Sequence, residues 1–300
     1  FQAEDGIRDR SPSRGLGDVY KRQTQERSKD LIETLRPAFK NCDLVYALET
    51  EPGIPFARNR AARESIEIGS DLLLFVDDDE EVPRDWLQKI IQGYRNSEAK
   101  LIGAPLRARR PEEHLTFLQK LMFTNLKSRY RKKERRASRK ASLKGTTGVT
   151  IVTNNWLAET SLFSEHNIWF DELMRHTGGT DSKFYAEVIA KGLQTAWVQD
   201  AYVYETIPPE RLSFLYQYGR ARDQSNTNFR RKNNDTVRLN LIVVTSIFIK
   251  LIAVIGLILT LPITAGRTLM TLARALGWIA GRFGAIAGSK STLYSTTTGN

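Results

Sequence analysis

Leu72-Leu73-Leu74-Phe75-Val76-Asp77-Asp78-Asp79-Glu80-Glu81 is the stretch from which the fold can be read. Five apolar residues run directly into five acidic ones. The apolar run is short, bounded and rich in branched and aromatic side chains, which predicts a strand covered on both faces. The acids then fall at its carboxyl end, the edge where open α/β sheets bind ligands. Carboxylates this close repel one another unless a cation joins them, and hard oxygen donors suit Mg²⁺ or Mn²⁺ shared with substrate phosphates. A solvated acidic turn leading into the next helix is the alternative.

Alternating elements extend outward from this strand. Leu31, Ile32 and Leu35 give a short helix stopped by Pro37, and Asp43–Leu48 reads as a strand. Pro55 opens a helix through Phe56-Ala57-Arg58-Asn59-Arg60, since proline suits a first helical turn. After the acids, Trp86, Leu87, Ile90, Ile91 and Tyr94 share a helical face, and Lys100–Leu106 is a further strand. Strand and helix alternating at this spacing predict a mostly parallel sheet with crossover helices. Thr147–Val152 reads as another strand. Thr177-Gly178-Gly179-Thr180-Asp181 follows, where two glycines permit close backbone approach to a ligand and Thr180 or Asp181 caps the helix Ser182–Lys191. Thr195–Gln199 and Ala201–Glu205 read as strands and Glu210–Arg222 as a helix.

Charge is unevenly spread. The formal net charge is +11, but residues 127–144 hold ten lysines and arginines against one glutamate, so the excess is local. This run continues an amphipathic helix built on Leu115, Leu118, Leu121, Met122 and Leu126. It predicts a solvated loop or helix face, then an anionic membrane surface, with nucleic acid the weakest reading because Tyr130 is its only stacking ring. One cysteine, Cys42, excludes a disulfide framework, and three scattered histidines disfavour a histidine zinc site. No glycine loop ending in Lys-Ser or Lys-Thr of the NTPase type is present.

The C-terminal quarter is apolar. Leu239–Leu261 spans about 35 Å as a helix, enough for a bilayer core of roughly 30 Å. Lys250 lies at its centre, either snorkelling or facing a partner. In Gly266–Gly288, Arg267, Arg274 and Arg282 fall on one helical face, which predicts a helix lying in a membrane interface. Gly277, Gly281, Gly284 and Gly288 add small-residue spacings for close helix packing. Residues 289–300 read as a disordered tail. Phe1–Gln23 has no apolar periodicity and resembles a translated sequencing adapter, so the native sequence is expected to start near Thr24.

Three constellations can meet at one sheet edge: Asp77 with Asp79, Gly178-Gly179-Thr180-Asp181, and Arg58-Asn59. A metal on carboxylates neutralises a diphosphate leaving group, and a separate carboxylate takes the proton of an attacking hydroxyl. EPGIPFARNRA, LLLFVDDDEEVPRDWL and FDELMRHTGGTDSKFYAEVIAKG together resemble a bacterial family 2 glycosyltransferase of the GT-A fold, over roughly residues 30–225.

The resemblance implies an inverting transfer of sugar from a nucleotide-diphosphate donor to a hydroxyl, with Mg²⁺ or Mn²⁺ as cofactor. Asp79 is then the direct metal ligand, Asp77 binds metal and donor, Arg58, Asn59, Gly178 and Gly179 lie at the donor, and Asp181 is the general base. It implies a domain over 24–230 with membrane helices over 239–288, facing the cytoplasm from the inner membrane. The partners are a nucleotide sugar, a polysaccharide or lipid-linked acceptor and membrane lipids, with no nucleic acid. Three departures stand out. Thr180 replaces the usual Glu before the base. Tyr204-Glu205 stands where a metal-binding His is usual, so Glu205 is the substitute ligand. Two initial strands are expected before Thr24, and without them the sheet is incomplete. A non-catalytic membrane-docked module of the same fold and a basic nucleic-acid-binding protein are the alternatives.

Overall fold

A computed structural model describes residues 27–38, 42–77, 80–144, 150–175, 179–232 and 241–289. In chain order the elements are α1 (Arg27–Leu35), α2 (Ile54–Glu67), β1 (Leu72–Val76), β2 (Glu80–Glu81), α3 (Trp86–Arg95), β3 (Leu101–Gly103), β4 (Leu106–Arg109), α4 (Phe117–Lys144), β5 (Asn155–Glu159), α5 (Ser161–Ser164), α6 (Thr180–Ala190), β6 (Thr195–Trp197), β7 (Val203–Thr206), α7 (Phe214–Lys232), α8 (Leu241–Thr260) and α9 (Leu269–Ile286).

The strands form two sheets, ordered β1-β5-β3-β6 and β2-β7-β4. The expected mostly parallel arrangement is corrected here. β5 runs antiparallel between β1 and β3, β2 pairs antiparallel with β7, and only β3–β6 and β4–β7 are parallel. Of the strand expected at 147–152, residues 147–149 lie outside the described residues and 150–152 carry no strand; a strand runs instead over Asn155–Glu159. All its residues except Glu159 are buried, which fits a central strand covered on both faces. Trp156 and Ala158 enter one core with Phe163, Phe170 and Phe184, while Leu157 enters another with Trp86, Ile90 and Val203. β1 feeds both cores: Leu73 goes to the first, Leu72, Leu74 and Val76 to the second. Only Leu73 is fully buried, because β1 has a strand neighbour on one side alone among the described residues. Asp43–Leu48 runs without a strand partner among them.

Asn155 ties the sheets together. Its amide donates to the carbonyls of Pro105 and Ala201 at 2.9 and 2.8 Å, and its Oδ1 accepts from Trp86 Nε1 at 3.0 Å. All three bonds are buried, so each is costly to leave unmade. They fix the loop that splits the expected Lys100–Leu106 strand into β3 and β4, and the loop that sends β6 and β7 to different sheets.

Of the two forms expected for the basic run, the exposed helix face is the one seen. It is the second half of α4, a helix of 28 residues. Met122 and Leu126 are buried beneath it, while Phe117 is 82% exposed. Its single acid, Glu134, accepts from Arg107 Nη2 at 2.7 Å and from Gln199 Nε2 at 2.5 Å, and so pins the helix to β4 and to the loop after β6.

α9 packs along α7 on one side and α8 on the other, burying Met270, Ala273, Ala275 and Ala285 among others. The small-residue spacing is used here. A Cβ at Gly277 would collide with the Tyr218 carbonyl oxygen, and one at Gly281 with that of Arg222. Glycine therefore sets the α7–α9 distance at backbone contact.

Candidate active site

Helix α6 begins at Gly179, whose φ of 85° lies in the left-handed region that glycine adopts without a Cβ clash. That turn aims Asp181, in the first helical turn, back at α2. Arg58 Nη1 meets Asp181 Oδ1 at 2.5 Å, and Thr153 Oγ1 donates to the same oxygen at 3.1 Å. Arg58 also reaches Thr180 Oγ1 at 3.3 Å. The Asp181 side chain keeps 24% of its surface open and Arg58 keeps 16%. Two donors thus fix one oxygen of this carboxylate in place at the start of α6. Both bonds engage Oδ1, and among the described residues Oδ2 is left to meet a reacting group.

The acidic edge lies against this cluster through the strand register. Val76 pairs with Asn155 and Phe75 with Trp156, so the end of β1 faces the start of β5, two residues after Thr153. The Phe75 ring contacts Trp156 at 5.6 Å and Phe170 at 6.4 Å, and the Arg58 guanidinium lies 5.5 Å from the Phe170 centroid. Asp77 is exposed at the strand end, its backbone N–H donating to Glu80 Oε2 at 3.0 Å. Asp79 and Gly178 lie outside the described residues, as does Asp78.

Asn59 and Glu205 take positions unlike those expected. Asn59 is 1% exposed and faces the interior. Its amide donates to the Phe170 carbonyl and to Glu172 Oε1, both at 2.9 Å, and its Oδ1 accepts from the Phe170 N–H at 3.0 Å. Both polar ends are thus committed to anchoring the segment that leads into α6, so direct donor contact is corrected to positioning. Lys183 ties the same segment through Asp171 Oδ2 at 2.5 Å. Glu205 sits opposite Glu80 across the β2–β7 pair, beside the acidic edge as expected. Yet Oε1 accepts from Arg211 at 2.7 Å and Oε2 from Tyr130 OH at 2.7 Å, and the residue is 8% exposed. Burial and the Glu205 charge push the Tyr130 phenol up, keeping it a hydrogen-bond donor. A metal would have to displace both partners, so these contacts argue against Glu205 as a ligand.

Among the described residues, no three His, Cys, Asp or Glu gather as a metal cluster. The exposed carboxylate of Asp77 is of the hard donor type that Mg²⁺ and Mn²⁺ take. Sequence reasoning missed Thr153, whose bond to Asp181 depends on the start of β5. It also missed Lys133 on α4. Lys133 keeps much of its surface exposed, yet loss of solvation lowers its ammonium, and the Asp181 charge acts in the opposite direction.

Residues 23–159 match the model of Glycosyl transferase family 2. That span holds the Arg58 helix, the acidic edge and β5, and stops before Asp181. The succinoglycan biosynthesis protein ExoM of Rhizobium meliloti (strain 1021) is 27% identical over 189 residues, 63% of this chain and 56% of that protein. The chain thus spans little more than half the length of this curated relative. Crystal structures of S. aureus TarS 1–349 also align. The UDP complex gives 15% identity and a TM-score of 0.36 over 89% of this chain and 80% of that one. The UDP-GlcNAc complex gives 14% and 0.38 over the same shares. The family and relative matches support a family 2 glycosyltransferase.

Proposed function

We propose that this chain is an inverting, metal-assisted glycosyltransferase of GT-A type, moving a sugar from a nucleoside-diphosphate donor to a hydroxyl acceptor in surface polysaccharide or glycolipid synthesis. The observation that carries this reading is the held Asp181. Its Oδ1 is fixed by Arg58 and Thr153 while Oδ2 is left for an acceptor. The family match over residues 23–159 and the likeness to a succinoglycan biosynthesis protein support it.

In this mechanism Oδ2 takes the proton of the acceptor hydroxyl. The acceptor oxygen forms its bond to the sugar anomeric carbon from the face opposite the diphosphate, and the bond from that carbon to the phosphate oxygen breaks. The electron pair leaves with the nucleoside diphosphate. Arg58 fixes the carboxylate, and Asn59 anchors the Phe170–Glu172 segment that leads into α6. Asp77 and Asp79 would hold Mg²⁺ or Mn²⁺, which supplies charge neutralisation to the departing diphosphate. Helix α8 is long and apolar enough to cross a membrane and is mostly unburied, which supports a membrane-associated enzyme.

The test is transfer from a panel of nucleotide sugars with Mg²⁺, Mn²⁺ or chelator, with the product anomer read by NMR. Metal-dependent transfer with inversion is expected. Retention would overturn the single-displacement mechanism. Nucleotide-sugar binding without transfer, across a broad acceptor panel, would favour the non-catalytic module.

A further inference from the structure

Behind the candidate site, α4, α7, α8 and α9 enclose a cavity of about 280 Å³ lined by Arg129, Arg274, Arg282 and Lys250. Among the described residues, no Asp or Glu lines it. It adjoins a smaller cavity of about 130 Å³ that shares Arg129 and Arg274 and adds Arg211 and Arg220. The one carboxylate there is Glu205, whose two oxygens already hold Arg211 and Tyr130.

Arg274 and Arg282 are held by neutral groups. Arg274 bonds to the side-chain carbonyls of Gln217 and Gln224, at 3.1 and 3.0 Å. Arg282 lies between the Phe229 and Trp278 rings, at 4.3 and 4.7 Å, and its buried Nε has no hydrogen-bond partner. Lys250 Nζ approaches the same Trp278 ring at 5.7 Å. Like charges brought together without an acid repel. Burial, then the charges of Arg129 and Arg220, lower the Arg274 guanidinium to about 10. Such a site is relieved by an anion, and several guanidinium groups match phosphate oxygens in geometry as well as charge.

The surroundings select the kind of anion. Lys250 is the one charge in α8, and that helix turns Val243, Ile247 and Val254 inward while Phe248, Ile252, Ile255 and Leu259 are more than half exposed. A ligand entering here meets cations at one end and an apolar helix at the other. We propose that this cleft binds the phosphate or diphosphate group of a lipid, with its hydrocarbon chain along the exposed side of α8. Binding at the cleft itself does not depend on the catalytic reading.

The test uses the full chain in detergent and titrates dodecyl phosphate, inorganic phosphate and inorganic diphosphate. Dodecyl phosphate should bind at least about tenfold tighter than either inorganic ion. The Arg129→Gln/Arg274→Gln double variant should lose about tenfold or more, the scale of one charge-assisted contact. Lys250→Met, which removes a charge from an apolar helix and leaves folding intact, should also weaken binding, whereas Asp181→Asn should leave it unchanged. Equal affinity in wild type and both cleft variants would overturn the site. Diphosphate binding as tightly as the amphiphile would overturn the lipid assignment and give the cleft to a soluble phosphate.

Discussion

In and around the sheets, carboxylates are matched by cations: Asp181 with Arg58, Glu159 with Lys100, Glu205 with Arg211. In the helical layer of α4, α7 and α9, Arg274 and Arg282 are held instead by amides and aromatic rings. The paired region is built to hold charge in fixed positions, as acid–base chemistry requires. The unmatched region stores repulsion that an arriving anion would relieve. Glu205 stands at the boundary, reached from α4 by Tyr130 and from the segment before α7 by Arg211.

Breaking that boundary should have the largest effect on stability. Glu205→Ala leaves Arg211 buried without its carboxylate beside Arg129, Arg220 and Arg274. A loss of about 3–5 kcal/mol is expected in denaturant unfolding. A neutral outcome would mean that the cation layer does not need this acid. Gly277→Val tests how tightly the layer is closed. Its branched side chain meets the α7 backbone at Tyr218, which should cost about 1–3 kcal/mol or more, read as a lowered Tm. An unchanged Tm would show that α9 can move away from α7 freely.

The smallest effect belongs to the paired region. Burial would raise the Glu159 carboxyl, but Lys100, Ser161 and Tyr94 together hold it below its ordinary value. A depressed folded-state pKa favours the fold above the unfolded value near 4.5 and loses that contribution as pH falls through the folded value. Glu159→Gln should flatten stability against pH in that acid window by less than about 1 kcal/mol, since the pair is partly exposed. An identical acid limb in wild type and variant would remove Glu159 from the linkage.

The local signals in the sequence carried over well. The β1 strand, its acidic end, the Pro55 helix and Asp181 at a helix start all depend on neighbours within a few residues, and all appear where expected. What was not legible depends on distant pairing. The antiparallel insertion of β5 is decided by partners at Leu72–Val76 and Leu101–Gly103. Glu205 read as a metal ligand because its partner Tyr130 lies 75 residues away. Asn59 read as a donor contact because nothing in its own helix shows that Phe170 uses both ends of its amide. The arginine face of α9 was visible, but periodicity alone could not distinguish a membrane interface from a cleft between helices.

The central claim is that Asp181, fixed through one oxygen, takes a proton through the other. Its most direct test measures sugar transfer and metal-dependent donor binding on the same samples of wild type and Asp181→Asn. The account predicts a loss of turnover of about 10²–10⁴-fold with donor binding retained. Turnover within a few fold of wild type would contradict it and remove Asp181 as the base.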